Sequence, residues 1–399
     1  MRLLRSIYVM TLMALTASVA FGGLDYVVAN NEVTITGYEG EPPSNLVIPE
    51  TIEEYPVTAI NNWAFAGELG LQHVTLPHSL LSIEPYAFRN CSNLVTVTFG
   101  NSLTTIGEHA FFQCRSLEEI DLPDSLQSIG ESAFYGCTNL TSVAFGSTVT
   151  SIGNQAFRDC TSLTHVTIPD SVLSIGTSAF SGCSSMGSII IGNGVSTIDN
   201  YAFAHCSSLT NLVIGNSVTF IGEGAFIAGS KLTDVTIPDS VQSIDEWAFA
   251  NCANLLSVVI GAGIEDIAGY VFAFNSSLAS IFFHGDAPTV DSNTFNHSPA
   301  TIYRRIHADG WPADGDSWGG QPTAIWPEVV LAGVEPTGFT FRFSISEGSE
   351  YAVEVSPDLT ESVWIPLEND TVPAGTNWVT ITDTEWINEP YRHYRVVLP

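Results

Sequence analysis

Ser128-Ile129-Gly130-Glu131-Ser132-Ala133-Phe134-Tyr135-Gly136-Cys137-Thr138-Asn139-Leu140-Thr141-Ser142-Val143-Ala144-Phe145-Gly146 reads as one unit of a repeat that decides the fold. Phe134 has counterparts at Phe65, Phe88, Phe111, Phe157, Phe180, Phe203, Phe226, Phe249, Phe272 and Phe295, each 23 residues from the next without insertion or deletion. Other positions keep the same step. Alanine precedes the Phe from Ala64 through Ala248, isoleucine lies five residues before it from Ile60 through Ile267, and Leu or Met follows six later, as at Leu94, Leu117, Leu140, Leu163, Met186 and Leu209. A short alternating segment comes next, such as His73-Val74-Thr75-Leu76, Asp234-Val235-Thr236-Ile237 or Ser280-Ile281-Phe282-Phe283, and Pro or Gly closes most of them. Alternation of this kind predicts a strand with one buried face.

No unit can bury its own apolar positions, so the units must stack and share a continuous core. A 23-residue period with a Leu-bearing strand fits leucine-rich repeats. Ten to eleven units with parallel strands about 4.8 Å apart predict an elongated, curved solenoid with a sheet roughly 45 to 50 Å long. The run Ala133-Phe134, then Cys137 and Leu140, with strand, Pro or Gly, and Ile-Gly following, resembles the BspA-like leucine-rich repeats of bacterial and some protist surface proteins. The resemblance covers roughly residues 44 to 300. It implies adhesion or protein binding rather than catalysis, and carries no residue-level site with it.

Solenoids need their end cores covered. Tyr26-Val27-Val28 and Val33-Thr34-Ile35-Thr36 suggest a hairpin around Ala29-Asn30-Asn31, leading into the irregular segment Leu46-Val47-Ile48-Pro49. The expected organisation is a signal peptide over 1–22, an N-terminal β cap and irregular first unit over 23–60, the solenoid over 61–300, a C-terminal cap and exit loop over 301–326, and a small all-β sandwich over 327–399. In that last region the 23-residue period gives way to a period of two, as in Phe339, Phe341, Phe343 and Ile345, then Tyr351, Val353 and Val355. Its ending, from Val353 through Trp364, Trp386 and Tyr391-Arg392-His393-Tyr394-Arg395, resembles fibronectin-III-like modules of some secreted bacterial proteins.

Arg2 and Arg5 precede an apolar run from Ile7 to Ala17, then small residues spaced for cleavage, which is the pattern of a secretory signal. Against 42 acidic residues stand 11 basic ones, Lys231 being the single lysine, for a net charge of −31. That charge argues against nucleic acid and anionic membranes as partners. No further apolar run reaches transmembrane length, so membrane insertion is not expected after signal removal. The expected state is a monomer, secreted or at the cell surface, with an extracellular protein or glycan as partner.

Cys91, Cys114, Cys137, Cys160, Cys183, Cys206 and Cys252 all stand three residues after the repeat Phe, while Gly229 occupies the place of an eighth. Side chains in one register point the same way, a poor geometry for disulfides, so the preferred reading is buried free thiols serving as small apolar fillers. Disulfides between adjacent repeats and a metal ladder are the alternatives.

Common catalytic motifs are absent from the sequence, including G-x-S-x-G, H-E-x-x-H and the P-loop. His73 and His165 share a register but lie four repeats apart, about 19 Å at strand spacing. Neither a cofactor nor a metal is expected. Asp124, Asp170 and Asp239 alternate with Asn101, Asn193 and Asn216 after the strand, a placement suited to turn chemistry, with weak calcium binding as the alternative. An enzyme or enzyme accessory with Asp358, Glu361, Glu368, Asp370, Asp383, Glu385 and His393 as its candidate groups is a further rival, although their spacing gives it no support.

Specificity is expected at the outward strand positions eight and ten residues after each Phe. These include Glu119 and Asp121, which form an acidic spot with the adjacent Glu118, then Asp234, and an apolar set, Ile190, Val213, Val259 and Phe282. Three readings of the apolar set stay open at this point: a ligand face, a surface covered by the C-terminal region, or ordinary β-propensity on an exposed strand. The leading expectation is recognition of protein or glycan on a rigid repeat surface, and its rival is a structural spacer without a ligand.

Overall fold

The computed structural model describes residues 22–305, 308–313 and 315–325, and then the strands Val329–Glu335, Gly338–Ser344, Glu350–Ser356, Ile365–Thr371, Trp378–Asp383 and His393–Val397. The signal sequence, apart from Gly22, lies outside the described residues, as do Asp358, Glu361 and Glu385. The chain divides into two compact units, 1–163 and 164–399.

Residues 22–163 start with an antiparallel hairpin, Leu24–Ala29 against Glu32–Tyr38, which turns at Asn30 and Asn31 with φ of 54° and 65°. Asparagine tolerates this left-handed backbone better than most residues. Glu32–Tyr38 then pairs in parallel with Tyr55–Ile60. From there the 23-residue step builds two parallel ladders. One is formed by Asn45–Val47, His73–Thr75, Thr96–Thr98, Glu119–Asp121 and Ser142–Ala144. The other continues from Tyr55–Ile60 through Ser82–Ile83, Thr105–Ile106, Ser128–Ile129 and Ser151–Ile152. The sequence reading treated the isoleucine register only as a core position. Its isoleucines also stand in strands, which from Ser82–Ile83 on are two residues long and pair with the copy in the next repeat.

Between the two ladders each repeat makes a tight segment that carries the Phe. In residues 61–163 the residue two before the Phe and the residue two after it both adopt the left-handed region, as at Tyr86 (φ 63°) and Asn90 (φ 60°), or His109 (φ 55°) and Gln113 (φ 56°). A left-handed non-glycine residue costs about 1–2 kcal/mol. The alternation turns every second N–H toward the next repeat, which offsets this cost: Tyr86 donates to Glu108 O (2.9 Å), Phe88 to Ala110 O (2.8 Å) and Asn90 to Phe112 O (2.7 Å). The Phe rings stack at the same step, with centroids 5.1–5.2 Å apart from Phe65 through Phe88, Phe111 and Phe134 to Phe157. Each of these rings is fully buried.

Residues 164–325 repeat the plan. Phe180, Phe203, Phe226 and Phe249 stack at 5.1–5.4 Å, and Phe249, Phe272 and Phe295 at 5.9 Å. The two-residue ladder runs from Ser174–Ile175 to Thr289–Val290 without interruption. The longer strands form two groups: His165–Ile168, Ser188–Ile191 and Asn211–Val213, then Asp234–Ile237, Ser257–Ile260, Ser280–Phe283, Thr301–Arg304 and Gln321–Ile325. Parallel pairing therefore continues through Thr301–Arg304 and Gln321–Ile325, in the stretch read from sequence as cap and exit loop. Trp311 and Trp318 sit at this end against Phe283 and Phe295. Two three-stranded antiparallel sheets follow. Gly338–Ser344 is the centre of one, between Val329–Glu335 and Trp378–Asp383; Glu350–Ser356 is the centre of the other, between Ile365–Thr371 and His393–Val397.

Candidate functional site

The seven cysteines are buried and free. Their thiols do more than fill space. Cys91, Cys114, Cys137 and Cys160 donate to the carbonyls of Phe65, Phe88, Phe111 and Phe134 at 3.0–3.3 Å, and Cys206 and Cys252 donate to Phe180 O and Phe226 O at 3.5 Å. Where the register changes, the bond persists: Asn275 Nδ2 donates to Phe249 O (2.9 Å) and Ser298 Oγ to Phe272 O (2.6 Å). The position selects a small buried donor, for which an S–H group suffices. Burial pushes the thiols of Cys91, Cys206 and Cys252 up to about 12 and those of Cys114, Cys137 and Cys160 well above their ordinary value, so the thiolate needed for exchange or metal ligation is disfavoured.

The Asp and Asn register after the strand serves the neighbouring repeat. Asp124 Oδ1 accepts from Ser147 N (2.8 Å), Asp170 Oδ1 from Asn193 N (2.6 Å), Asn193 Oδ1 from Asn216 N (3.0 Å) and Asp239 Oδ1 from Ala262 N (2.7 Å). Asparagine and aspartate do the same job here, accepting from a backbone N–H 23 residues on in the next repeat, where local turn bonds were expected from the sequence. Ser147 N–H holds the Asp124 carboxyl below the usual carboxylate range. Among the described residues no group of three His, Cys, Asp or Glu side chains could hold a metal ion. His73 Nδ1 lies 2.8 Å from Thr96 Oγ1 and His165 Nδ1 3.0 Å from Thr164 Oγ1, so each is tied to a neighbouring threonine. Glu368, Asp370, Asp383 and His393 fall in four different positions of the two C-terminal sheets, on Ile365–Thr371, Trp378–Asp383 and His393–Val397.

Outward strand residues are where side chains are free to meet a partner. In residues 22–163, Glu119 and Asp121 are both exposed on Glu119–Asp121, with Glu118 exposed just before them. In residues 164–325, Ile190 pairs with Val213, and both are exposed, at 40% and 46%. Val259 pairs with Phe282, which pairs with Tyr303 and stacks on its ring at 4.9 Å; these three are half-buried. Asp234 pairs with Ser257 and accepts its hydroxyl. Two open clefts lie along this face. One, of about 500 Å³, is lined by Ile190, Val213 and the turn residues Asp170 and Asn193; the other, of about 690 Å³, by Leu212, Val213, Thr236, Asp239, Val259 and His284. Of the apolar set, Ile190 and Val213 share one cleft and Val213 and Val259 the other, while Phe282 lines neither and packs on Tyr303.

Sequence reasoning passed over a second outward register, the left-handed residue two before each Phe. Trp63, Tyr86 and His109 stack at 4.4 and 5.0 Å, with the Arg89 guanidinium 5.7 and 5.5 Å from the Trp63 and Tyr86 rings. Trp247 and Tyr270 stack at 4.3 Å. The signal was legible as aromatics at a fixed offset from the Phe. Tyr86 is stacked on both faces, between Trp63 and His109, and so serves packing between repeats, whereas Trp63 at the end of this stack is 54% exposed.

A BspA type leucine rich repeat region, in six copies, matches residues 58–187 and 174–301. No curated protein matches the chain. Among solved structures, a leucine-rich repeat protein from Bacteroides ovatus is 23% identical, covers 78% of this chain and all of its own, and superposes with a TM-score of 0.52, which shows the fold. The leucine rich repeat protein of T. pallidum is 28% identical over 54% of this chain and 91% of its own, with a TM-score of 0.41. A leucine rich cell surface protein from Faecalibacterium prausnitzii is 22% identical over 68% of this chain and 95% of its own, with a TM-score of 0.32. With more than half of its length matched, and the Phe register repeating every 23 residues from Phe65 to Phe295, the chain belongs to the BspA-type leucine-rich repeat family.

Proposed function

We propose that the chain is a secreted or cell-surface binding protein that recognises a protein or glycan on the outward rows of its strand ladders. The observation that carries this is the exposed, paired set Ile190 and Val213 over open clefts, on strands whose backbone is held repeat to repeat. Exposed aliphatic side chains side by side on a rigid surface are a feature of interaction sites. Secretion rests on the signal-like pattern of residues 1–22, and a surface location agrees with the character of the family. The chain works as a monomer without a cofactor and performs no reaction, and its charge of −31 turns away nucleic acid and anionic membranes. The six C-terminal strands pack as a fibronectin-III-like sandwich that serves as a spacer or anchor.

The test is capture of mixed extracellular proteins, and of an array of polysaccharides, by the purified chain beside its Asp121→Lys and Val213→Asp variants. Saturable capture lost in either variant supports the strand face. Equal capture by all three forms, or none, overturns it and favours a structural spacer.

A further inference from the structure

Within residues 164–325 the ladder of longer strands opens once. Asn211–Val213 pairs with Ser188–Ile191, and Asp234–Ile237 pairs with Ser257–Ile260, but among the described residues no pairing joins Asn211–Val213 to Asp234–Ile237. The two-residue ladder stays closed at the same repeat, where Phe220–Ile221 pairs with Ser243–Ile244. Elsewhere the entry to the strand is tied by bonds such as Leu256 N to Thr233 O (2.7 Å), and its exit by bonds such as Leu122 N to Ala144 O (2.9 Å). No such bond links Thr233 to Thr210 or Ile214 to Thr236. Leu212 is half-buried here, whereas its counterparts Ile189 and Val235 are buried. The larger cleft occupies this opening, with Leu212, Val213 and Ile214 on one side and Thr236, Ile237 and Asp239 on the other.

We infer that the opening between Asn211–Val213 and Asp234–Ile237 is a strand-addition site for an extended polypeptide segment whose side chains alternate apolar and basic; this rests on the strand-face reading above. Unpaired edge N–H and C=O groups are a template for another strand, and main-chain bonds to such an edge supply affinity that is independent of side chains. Side-chain preference follows from the lining. Val213 and Val259 offer aliphatic contact, Asp239 supplies a carboxylate, and the lining holds neither Lys nor Arg. Asp234, exposed, adds a second carboxylate at the strand start, while Lys231 lies on the approach loop outside the cleft. A glycan is disfavoured because no Trp, Tyr or Phe face lines the cleft to stack on a sugar. A second copy of a chain carrying −31 is disfavoured by repulsion.

The probe is a fluorescein-labelled ten-residue peptide of alternating lysine and valine or threonine, titrated into the intact chain and followed by polarisation, with hydrogen exchange recorded in parallel. The expected result is saturable binding that weakens about tenfold or more when alternate peptide amides are N-methylated. Val213→Lys is expected to weaken it similarly and Thr96→Lys, which adds the same charge in residues 22–163, to leave it unchanged. Amides of Ile214 and Thr233 should exchange more slowly with peptide present. Binding that ignores N-methylation overturns strand addition while leaving the strand face as a binding surface. Absence of binding also overturns it, and the capture experiment with Val213→Asp then decides the wider reading separately.

Discussion

Replacing Gly229 with alanine is expected to stabilise the chain by about 1–2 kcal/mol. Gly229 stands in the register of the buried thiols, between Cys206 and Cys252, and is itself buried. A Cβ placed there would meet Phe226 O at 3.4 Å and Cys252 Sγ at 3.6 Å, ordinary contact distances, and the glycine does not use a left-handed φ. The gain therefore combines the reduced freedom of the unfolded chain, about 0.4–1 kcal/mol, with burial of one methyl group, about 0.8 kcal/mol. Gly146→Ala is the control of opposite sign. Its Cβ would lie 2.2 Å from Pro123 O and 2.6 Å from Pro123 C, so the backbone of two repeats must shift, at a cost of about 1–3 kcal/mol. Equilibrium denaturation of the full chain in guanidinium, with exchange rates at Leu232 and Val235 to localise the effect, measures both. A neutral or destabilising Gly229→Ala would refute the view that this register contains an unfilled place, and a Gly146→Ala as stable as the parent would refute the close backbone approach at Pro123.

Three further predictions follow from the same geometry. The seven thiols should resist a disulfide reagent at neutral pH in the folded chain and all react after unfolding; since burial raises the folded values of Cys91, Cys206 and Cys252, the stability these three lend is present below the unfolded thiol value and is lost as pH rises from about 9 toward about 12. Asp124 is held low by Ser147 N–H, so its contribution is present above the unfolded carboxyl value near about 3.9 and lost as pH falls through the lower folded value. Asp124→Asn, which keeps an acceptor as Asn193 does toward Asn216, should flatten this acid loss when denaturation midpoints are compared at about pH 3 and pH 6. Phe134→Ala removes a ring stacked between Phe111 and Phe157 and should cost about 3–5 kcal/mol, seen as faster exchange at Cys114, Cys137 and Phe111 amides; an effect below 1 kcal/mol would be inconsistent with a close-packed stack.

The parts of the fold that were legible in the sequence are those where one residue type is demanded in every repeat. Phe134 and its counterparts must fill the same buried volume, and Val143 and its counterparts the inner side of a strand, so the period states both. Ser128–Ile129 carries no such message, because two residues are too few for alternation to register; only the copy beside it makes it a strand. The left-handed backbone at Tyr86, His109 or Ser132 is equally silent, since bonds to the next repeat offset its cost and free the position from glycine. Ile190 and Val213 were legible as outward residues, yet the clefts beneath them depend on bonds that are present between some neighbouring repeats and absent between others. One trace of that irregularity did reach the sequence. Gly229, the break in the thiol register, belongs to the repeat whose strand Asp234–Ile237 stands apart from Asn211–Val213. In a solenoid, uniformity encodes the core, so the departures from uniformity are where a site has to be sought.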